Sequence, residues 1–323
     1  MRVRVCGQLS LADSLVRAPE SGVLDRIAGA VDWAALEVVL RPLRNRRSDA
    51  GAPGYPPVLL LRCLLLGLWH GGLSDPALEA ALADRLSFRR FVGLSLDDPT
   101  PDHSTLWRFR AALEETGLAE AVFAEINRQF TAQGLIVKQG TLIDASLVPA
   151  RARPSRRSRQ GKERPSADPD AAWGAKNALK VFGYKIHIGV DQAHTLIRTV
   201  AVSDASVTDT ELGDRLVCGD EAMVLGDQGY SSKARRAWLK ERGIRDGIMM
   251  RPNKHHPVLA PWPKRRNRLL AQVRFAVERP FAVFKEQYGL RRMRFFTQAR
   301  NHVQVLLACC AYNLRRAAGV GAV

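Results

Sequence analysis

Apolar positions along the chain fall into two regimes. Up to about residue 135 they recur at helical spacing. Val23 to Leu40 carries apolar residues at turn-like intervals, and Pro56 to Trp69 is a hydrophobic stretch opened by prolines, which a helix tolerates in its first turn. Asp75-Pro76 reads as an N-cap followed by proline at the first helical position, starting a helix over Ala77 to Leu86. After the loop Asp97 to Pro101, Asp102 or Ser104 can cap a helix reaching Leu113, and another follows from Leu118 to about Gln133. From Gly140 the period becomes that of strands. Thr141-Leu142-Ile143-Asp144 is short, β-branched and apolar, and it ends in a carboxylate. Tyr184, Ile186, Ile188 and Val190 alternate with Lys185 and His187, which predicts a half-buried strand; Asp191 to His194 supplies a turn, and Leu196 to Val202 pairs back. A helix over Thr208 to Cys218 precedes a short buried strand, Ala222 to Gly226, that ends at Asp227. Ser231 to Arg242 is again helical, Ile244 to Met250 is a last strand, and helices over Arg265 to Tyr288 and Ala299 to Ala317 close the chain. The order from Gly140 is β-β-β-α-β-α-β-α-α. This divides the chain into an all-α region over 1–139 and an α/β region over 140–323.

Composition sharpens the picture. The 323 residues suffice for two domains, and 49 Lys and Arg against 32 Asp and Glu leave a formal charge of +17. Such a balance points to a polyanion, nucleic acid before an anionic membrane. The longest apolar run, Val58 to Trp69, is interrupted by Arg62 and falls short of the ~20 residues a membrane span requires. No signal-peptide core precedes it, so a cytoplasmic location is expected. Five cysteines without C-x-x-C spacing imply neither a structural zinc nor a disulfide framework. Pro149 to Lys180 reads as a flexible basic loop: from Arg151 onward it holds nine Lys and Arg, three acids and little apolar content.

Two of the strands end in aspartate, Asp144 and Asp227. Ligands in open α/β sheets bind beyond the carboxyl ends of strands, and Mg²⁺ takes oxygen ligands from a few carboxylates. Equally, strand-end aspartates cap turns. A third acid, Glu278, lies on a helix whose apolar residues Leu270, Val273, Val277, Phe281, Phe284 and Tyr288 form a stripe facing a core. At 100° per residue, Arg274, Glu278 and Lys285 fall within an arc of about 40° beside it. Arg274 and Glu278 are also i,i+4 neighbours that could pair on the surface. Pro280 is expected to kink this helix just past the glutamate.

Asn267-Arg268, Val273-Arg274, Val277-Glu278-Arg279, Phe281 and Lys285 resemble the C-terminal signature of bacterial insertion-sequence DDE transposases, closest to the insertion-sequence-five family. The R-x₃-E-x₆-K core stands as Arg274, Glu278 and Lys285; Ala271 occupies the place where related families carry a tyrosine. Thr141 to Ser146 resembles the first-aspartate strand of that family, and Leu225-Gly226-Asp227-Gln228-Gly229-Tyr230 its second-aspartate motif. Phe182 to His187 resembles the strand between them, and Asp168-Pro169-Asp170-Ala171 with Trp173 the loop before it. The similarity runs from about Tyr55 to Arg316. The resemblance implies an RNase H-like mixed sheet flanked by helices. It makes Asp144, Asp227 and Glu278 the catalytic, metal-binding triad, holding two Mg²⁺ or Mn²⁺ ions. It also implies binding of inverted-repeat ends, cleavage to a 3′-hydroxyl and joining to target DNA, by a homodimer in a bacterial, nucleoid-associated setting.

Phosphate contacts are expected from Arg274, Lys285, Arg279 and Arg268, within a stretch from Lys264 to Arg294 that holds ten basic residues and two acids, and from Lys185. Asp75 to Phe91 and Asp102 to Leu113 can form a helix-turn-helix-like pair that presents Arg108 and Arg110 to DNA ends, with Leu106, Trp107 and Leu113 packing. The adjacent His255 and His256 diverge and make no metal site. His187 faces DNA or solvent; Trp262 packs under its loop or stacks on an unpaired base. The rival reading is a non-catalytic DNA-binding protein, or a nuclease that cuts without joining.

Overall fold

The computed structural model describes residues 4–8, 13, 22–46, 53–157, 163–176, 179–252 and 257–320. Contacts divide the chain into two units. The first comprises Met1–Ala132, Gln287–Gly289 and Leu306–Val323; the second comprises Gln133–Glu286 and Leu290–Val305. Residues 306–320, expected with the α/β region, therefore pack with the helices.

In the first unit, α1 (Val23–Gly29) and α2 (Trp33–Leu40) replace the single helix expected over Val23 to Leu40. The break is local chemistry: Asp32 adopts an extended backbone, and its carboxylate accepts a hydrogen bond from the Ala34 N–H at 2.8 Å, capping a new helix. The hydrophobic helix α3 (Pro57–Trp69) is almost wholly buried, and Trp69 Nε1 donates to the Ala311 carbonyl at 2.9 Å. In α4 (Asp75–Asp84) the N-cap is Ser74, one residue earlier than the sequence suggested, so Asp75 and Pro76 occupy the first turn. The short α5 (Leu86–Val92) ends at Gly93, whose φ of +85° suits a residue without Cβ. Asp102 caps α6 (His103–Thr116), and α7 (Leu118–Ala132) follows.

The second unit is built on a six-stranded mixed sheet. Its strands are β1 (Thr141–Pro149), β4 (Ala172–Lys176), β5 (Leu179–Asp191), β6 (Ile197–Asp204), β7 (Met223–Gly226) and β8 (Arg245–Ile248). β6, β5 and β1 are antiparallel neighbours, while β7 pairs parallel with β1 and β8 parallel with β7. That order, antiparallel on one side and parallel on the other, is RNase H-like. Connections run through α8 (Asp209–Leu212) with a following 3-10 turn, and through α9 (Lys233–Glu241). The stretch after β1 is more ordered than a loop: β2 (Arg156–Arg157) pairs with β3 (Glu163–Arg164), and β4 forms a hairpin with the start of β5. Residues 158–162 of the expected basic loop lie outside the described residues, as do His255 and His256.

The long helix expected over Arg265 to Tyr288 is two helices, α10 (Pro261–Arg274) and α11 (Glu278–Glu286), separated by a 3-10 turn at Phe275–Val277. Pro280 therefore sits in the first turn of α11, where its missing N–H has no helical partner to lose. The kink precedes the glutamate rather than following it. The apolar stripe is buried only from Val277 onward, and α10 buries no residue fully. α10 docks instead by polar contacts. Asn267 accepts from the Met250 N–H and donates to the Met250 carbonyl, both at 2.9 Å, and Arg266 donates to the Ile248 carbonyl at 2.9 Å. The last helix, α12 (Gln298–Val320), belongs to the second unit up to Val305 and to the first unit from Leu306.

Candidate active site

β1 and β7 place two acids side by side. In their parallel register Ile143 faces Gly226, so Asp144 and Asp227 occupy the next position on adjacent strands. β7 ends there. β1 continues to Pro149 because β5 keeps pairing with it, so Asp144 lies within its strand rather than at the end the sequence suggested. Asp227 opens a 3-10 turn, and its Oδ1 accepts from the Gly229 N–H at 2.8 Å. A Cβ at position 229 would lie 2.9 Å from that same oxygen, so glycine is required for the carboxylate to approach its donor.

Side chains two apart on a strand share a face, so Asp144 and Ser146 look the same way. The helices reach them there. Arg274, at the end of α10, sets its Nη1 3.0 Å from Asp144 Oδ2, while Asp144 Oδ1 accepts from the Ala145 N–H at 2.8 Å. Lys285, on α11, donates to Ser146 Oγ at 2.7 Å. The 3-10 turn between the two helices packs on β1. Glu278 begins α11 directly after that turn and is exposed. Among the described residues no three His, Cys, Asp or Glu side chains stand together in a form able to hold a metal ion. Asp144 and Asp227 are brought together; Glu278 is not gathered with them.

Of the remaining expected contacts, Arg279 and Arg268 are exposed. Lys185 points inward: its Nζ donates to the Val207 carbonyl at 2.7 Å and pairs with Asp209 Oδ1 at 3.0 Å. His187 is fully buried rather than facing DNA or solvent, with Nε2 3.2 Å from Ser203 Oγ. Burial, opposed by Asp209 and reinforced by Lys185, lowers its pKa to about 4. Trp262 is 65% exposed and is not packed under its loop.

In the helical unit, Arg110 makes a two-pronged pair with both Asp75 oxygens at 3.0 Å, pinning α6 to α4. Arg108 is exposed and lies back along its own helix, donating to the Ser104 carbonyl. Trp107, expected to pack, is 50% exposed, whereas Leu106 and Leu113 are buried.

Three neighbours of Asp227 were assigned no role from the sequence. Asp209 Oδ2 lies 3.5 Å from the place a Gly229 Cβ would take. Tyr230 is completely buried, and its hydroxyl has no hydrogen-bond partner among the described residues. Arg235 donates to the Tyr230 and Thr210 carbonyls and to Asp214, clamping the segment behind the acid. Alternation within one strand cannot reveal such partners, because Lys185 and Asp209 meet only when β5 and α8 are folded together.

The sequence profile of the Transposase DDE domain matches residues 136–314, more than half of the chain. The chain belongs to the DDE transposases of insertion sequences. A second profile, Transposase domain (DUF772), matches residues 13–112 in the helical unit of this transposase. Transposases of this family act on DNA, and the strongly basic composition agrees with such a substrate. Among the described residues, no helix of the transposase is long and apolar enough to cross a membrane.

Carboxylates on neighbouring strands, with a buried hydroxyl nearby that has no partner among the described residues, are the hard oxygen donors a small divalent cation takes. This donor set fits the metal that the family uses. Asp144 and Asp227 are the residues that would hold it.

Proposed function

We propose that this transposase binds the terminal inverted repeats of its element, cleaves a DNA phosphodiester to free a 3′-hydroxyl, and joins that hydroxyl to target DNA as a dimer. The observation that carries the reading is the parallel β1–β7 pairing that sets Asp144 beside Asp227, with Arg274 and Lys285 reaching the same face of β1. Divalent cations held there would activate the attacking oxygen and stabilise the leaving one. The protein supplies position and charge. Asp227 is fixed by the Gly229 N–H, and Asp144 is oriented by Arg274. When a DNA phosphate arrives, the Arg274 guanidinium is the nearest cation to share between it and Asp144, and Lys285 stands on the following helix, α11. Glu278 completes the triad by moving toward Asp144 as Arg274 turns to the phosphate. Arg268 and Arg279, both exposed, hold the flanking backbone without reading sequence. Arg108 is the outward-facing candidate on α6 for contact with the ends, whereas Arg110 acts through Asp75 to hold the helix pair in shape.

One observation favours a second reading: the three acids do not form a ready cage among the described residues, as expected of a DNA-binding relative that no longer cuts. Incubating the purified protein with labelled element ends and a target plasmid, with and without Mg²⁺, separates the two. Metal-dependent joined product supports the transposase activity. Binding without any cleavage removes it, and cleavage without joining reduces it to a nuclease.

A further inference from the structure

We propose that Asp209 is a further acid of this site, holding a hydrated divalent cation jointly with Asp227 and assisted by the Tyr230 hydroxyl. The inference rests on the reading that Asp144 and Asp227 bind metal, and adds a residue to it. Geometry carries the argument. A Cβ built on Gly229 would lie 2.9 Å from Asp227 Oδ1 and 3.5 Å from Asp209 Oδ2, so the two carboxylates approach the same side of the Gly229 backbone. Thr210 Oγ1 donates to the Gly229 carbonyl at 2.6 Å, tying the start of α8 to the turn that carries Asp227. Lys185 sits on the other oxygen of Asp209, Oδ1, at 3.0 Å, which leaves Oδ2 on the Asp227 side.

Charge points the same way. Lys185 matches Asp209, while Asp227 is held by a backbone N–H, so the Asp209–Asp227 pair retains a negative excess that a cation would relieve. Tyr230 supplies the independent observation. Its ring is sealed in the core with Ile143 and Leu239, its N–H donates to the Asp227 carbonyl at 3.2 Å, and its hydroxyl is buried without a partner among the described residues. An unpaired buried donor is destabilising, and a water in the coordination shell of a cation would remove that penalty. Mg²⁺-like ions suit such a place because they bind one or two carboxylates and keep several waters.

The test is a Mn²⁺ titration of the full chain without DNA, followed by electron paramagnetic resonance of the free ion and paired with thermal melts. Wild type should bind, and Asp227→Asn should lose most of that affinity. Asp209→Asn keeps an oxygen for Lys185, and should weaken Mn²⁺ binding by about 10-fold or more, at least the loss seen when a ligand's support is removed. Tyr230→Phe should weaken it by a smaller factor while melting no lower than wild type. If both variants bind Mn²⁺ like wild type while Asp227→Asn does not, Asp209 merely anchors Lys185, and the site reading survives without it. If Asp227→Asn also leaves binding unchanged, both readings fall. Should Asp209→Asn not fold, the Tyr230→Phe titration decides.

Discussion

The sheet side and the helix side of the candidate site are built on opposite principles. On the sheet, Asp144 and Asp227 are fixed by strand register, backbone N–H groups and buried neighbours, and even the nearby cations are committed, Lys185 to Asp209 and Arg274 to Asp144. On the helices, Glu278, Arg279 and Arg268 stand in solvent, and α10 is docked by a few polar contacts instead of an apolar face. The contrast suggests that the rigid half defines where chemistry occurs and the looser half adapts to the DNA. Side chains on the first half should therefore be costly to alter without DNA, and those on the second only with it.

The sharpest way to break this comparison is to remove the sheet acids. Asp144→Asn or Asp227→Asn should lower end cleavage by about a thousandfold or more while end binding in gel shifts stays near wild type; cleavage at wild-type rates would take that residue out of the site. Next in size is Arg274→Ala, which strands the Asp144 carboxylate, 7% exposed, without its cation. We expect about 3 kcal/mol lost in denaturant unfolding, the lower end for a broken buried pair. Arg279→Ala should change stability by less than about 0.5 kcal/mol. Equal losses from the two would erase the distinction between the halves.

His187 gives a comparable effect through pH. Its pKa in the folded chain is depressed to about 4, below an ordinary value near 6.5, so the unfolded chain binds the extra proton first. The stability this provides is complete above about pH 6.5 and is lost as pH falls toward 4, by on the order of 3 kcal/mol. Urea midpoints across that range should drop in wild type and flatten in His187→Gln. The smallest expected effect belongs to the helix side. The double variant Arg268→Ala with Arg279→Ala should reduce the slope of log affinity against log salt by about 2, with little change in the melt. An unchanged slope would place both arginines off the DNA.

How much of this was legible beforehand follows the same divide. The strand acids could be read because a carboxylate following a short buried strand is a local pattern, although β1 runs on past Asp144 and the strands at 156–157, 163–164 and 172–176 were not foreseen. The phase of the helix could not be read, since the 3-10 turn at Phe275–Val277 resets the angular count on which the Arg274–Glu278–Lys285 arc depended. His187 was placed on the correct alternating face of β5 and yet in the wrong environment, because β5 is interior to the sheet and that face too is covered. The Lys185 error has a related cause: a cation on a strand reads as a free phosphate ligand until the chain brings Asp209 to it.

The passage of α12 from one unit into the other at residues 305–306 bears on how such enzymes can be taken apart and recombined. A scission near residue 133 leaves residues 306–320 behind on the wrong fragment, with Leu306, Leu307 and Leu314 stripped of their cover. Exchanging the end-reading part between relatives therefore requires grafting a non-contiguous set of segments, the C-terminal turns of α12 included, and a chimera joined at one seam should precipitate or melt early.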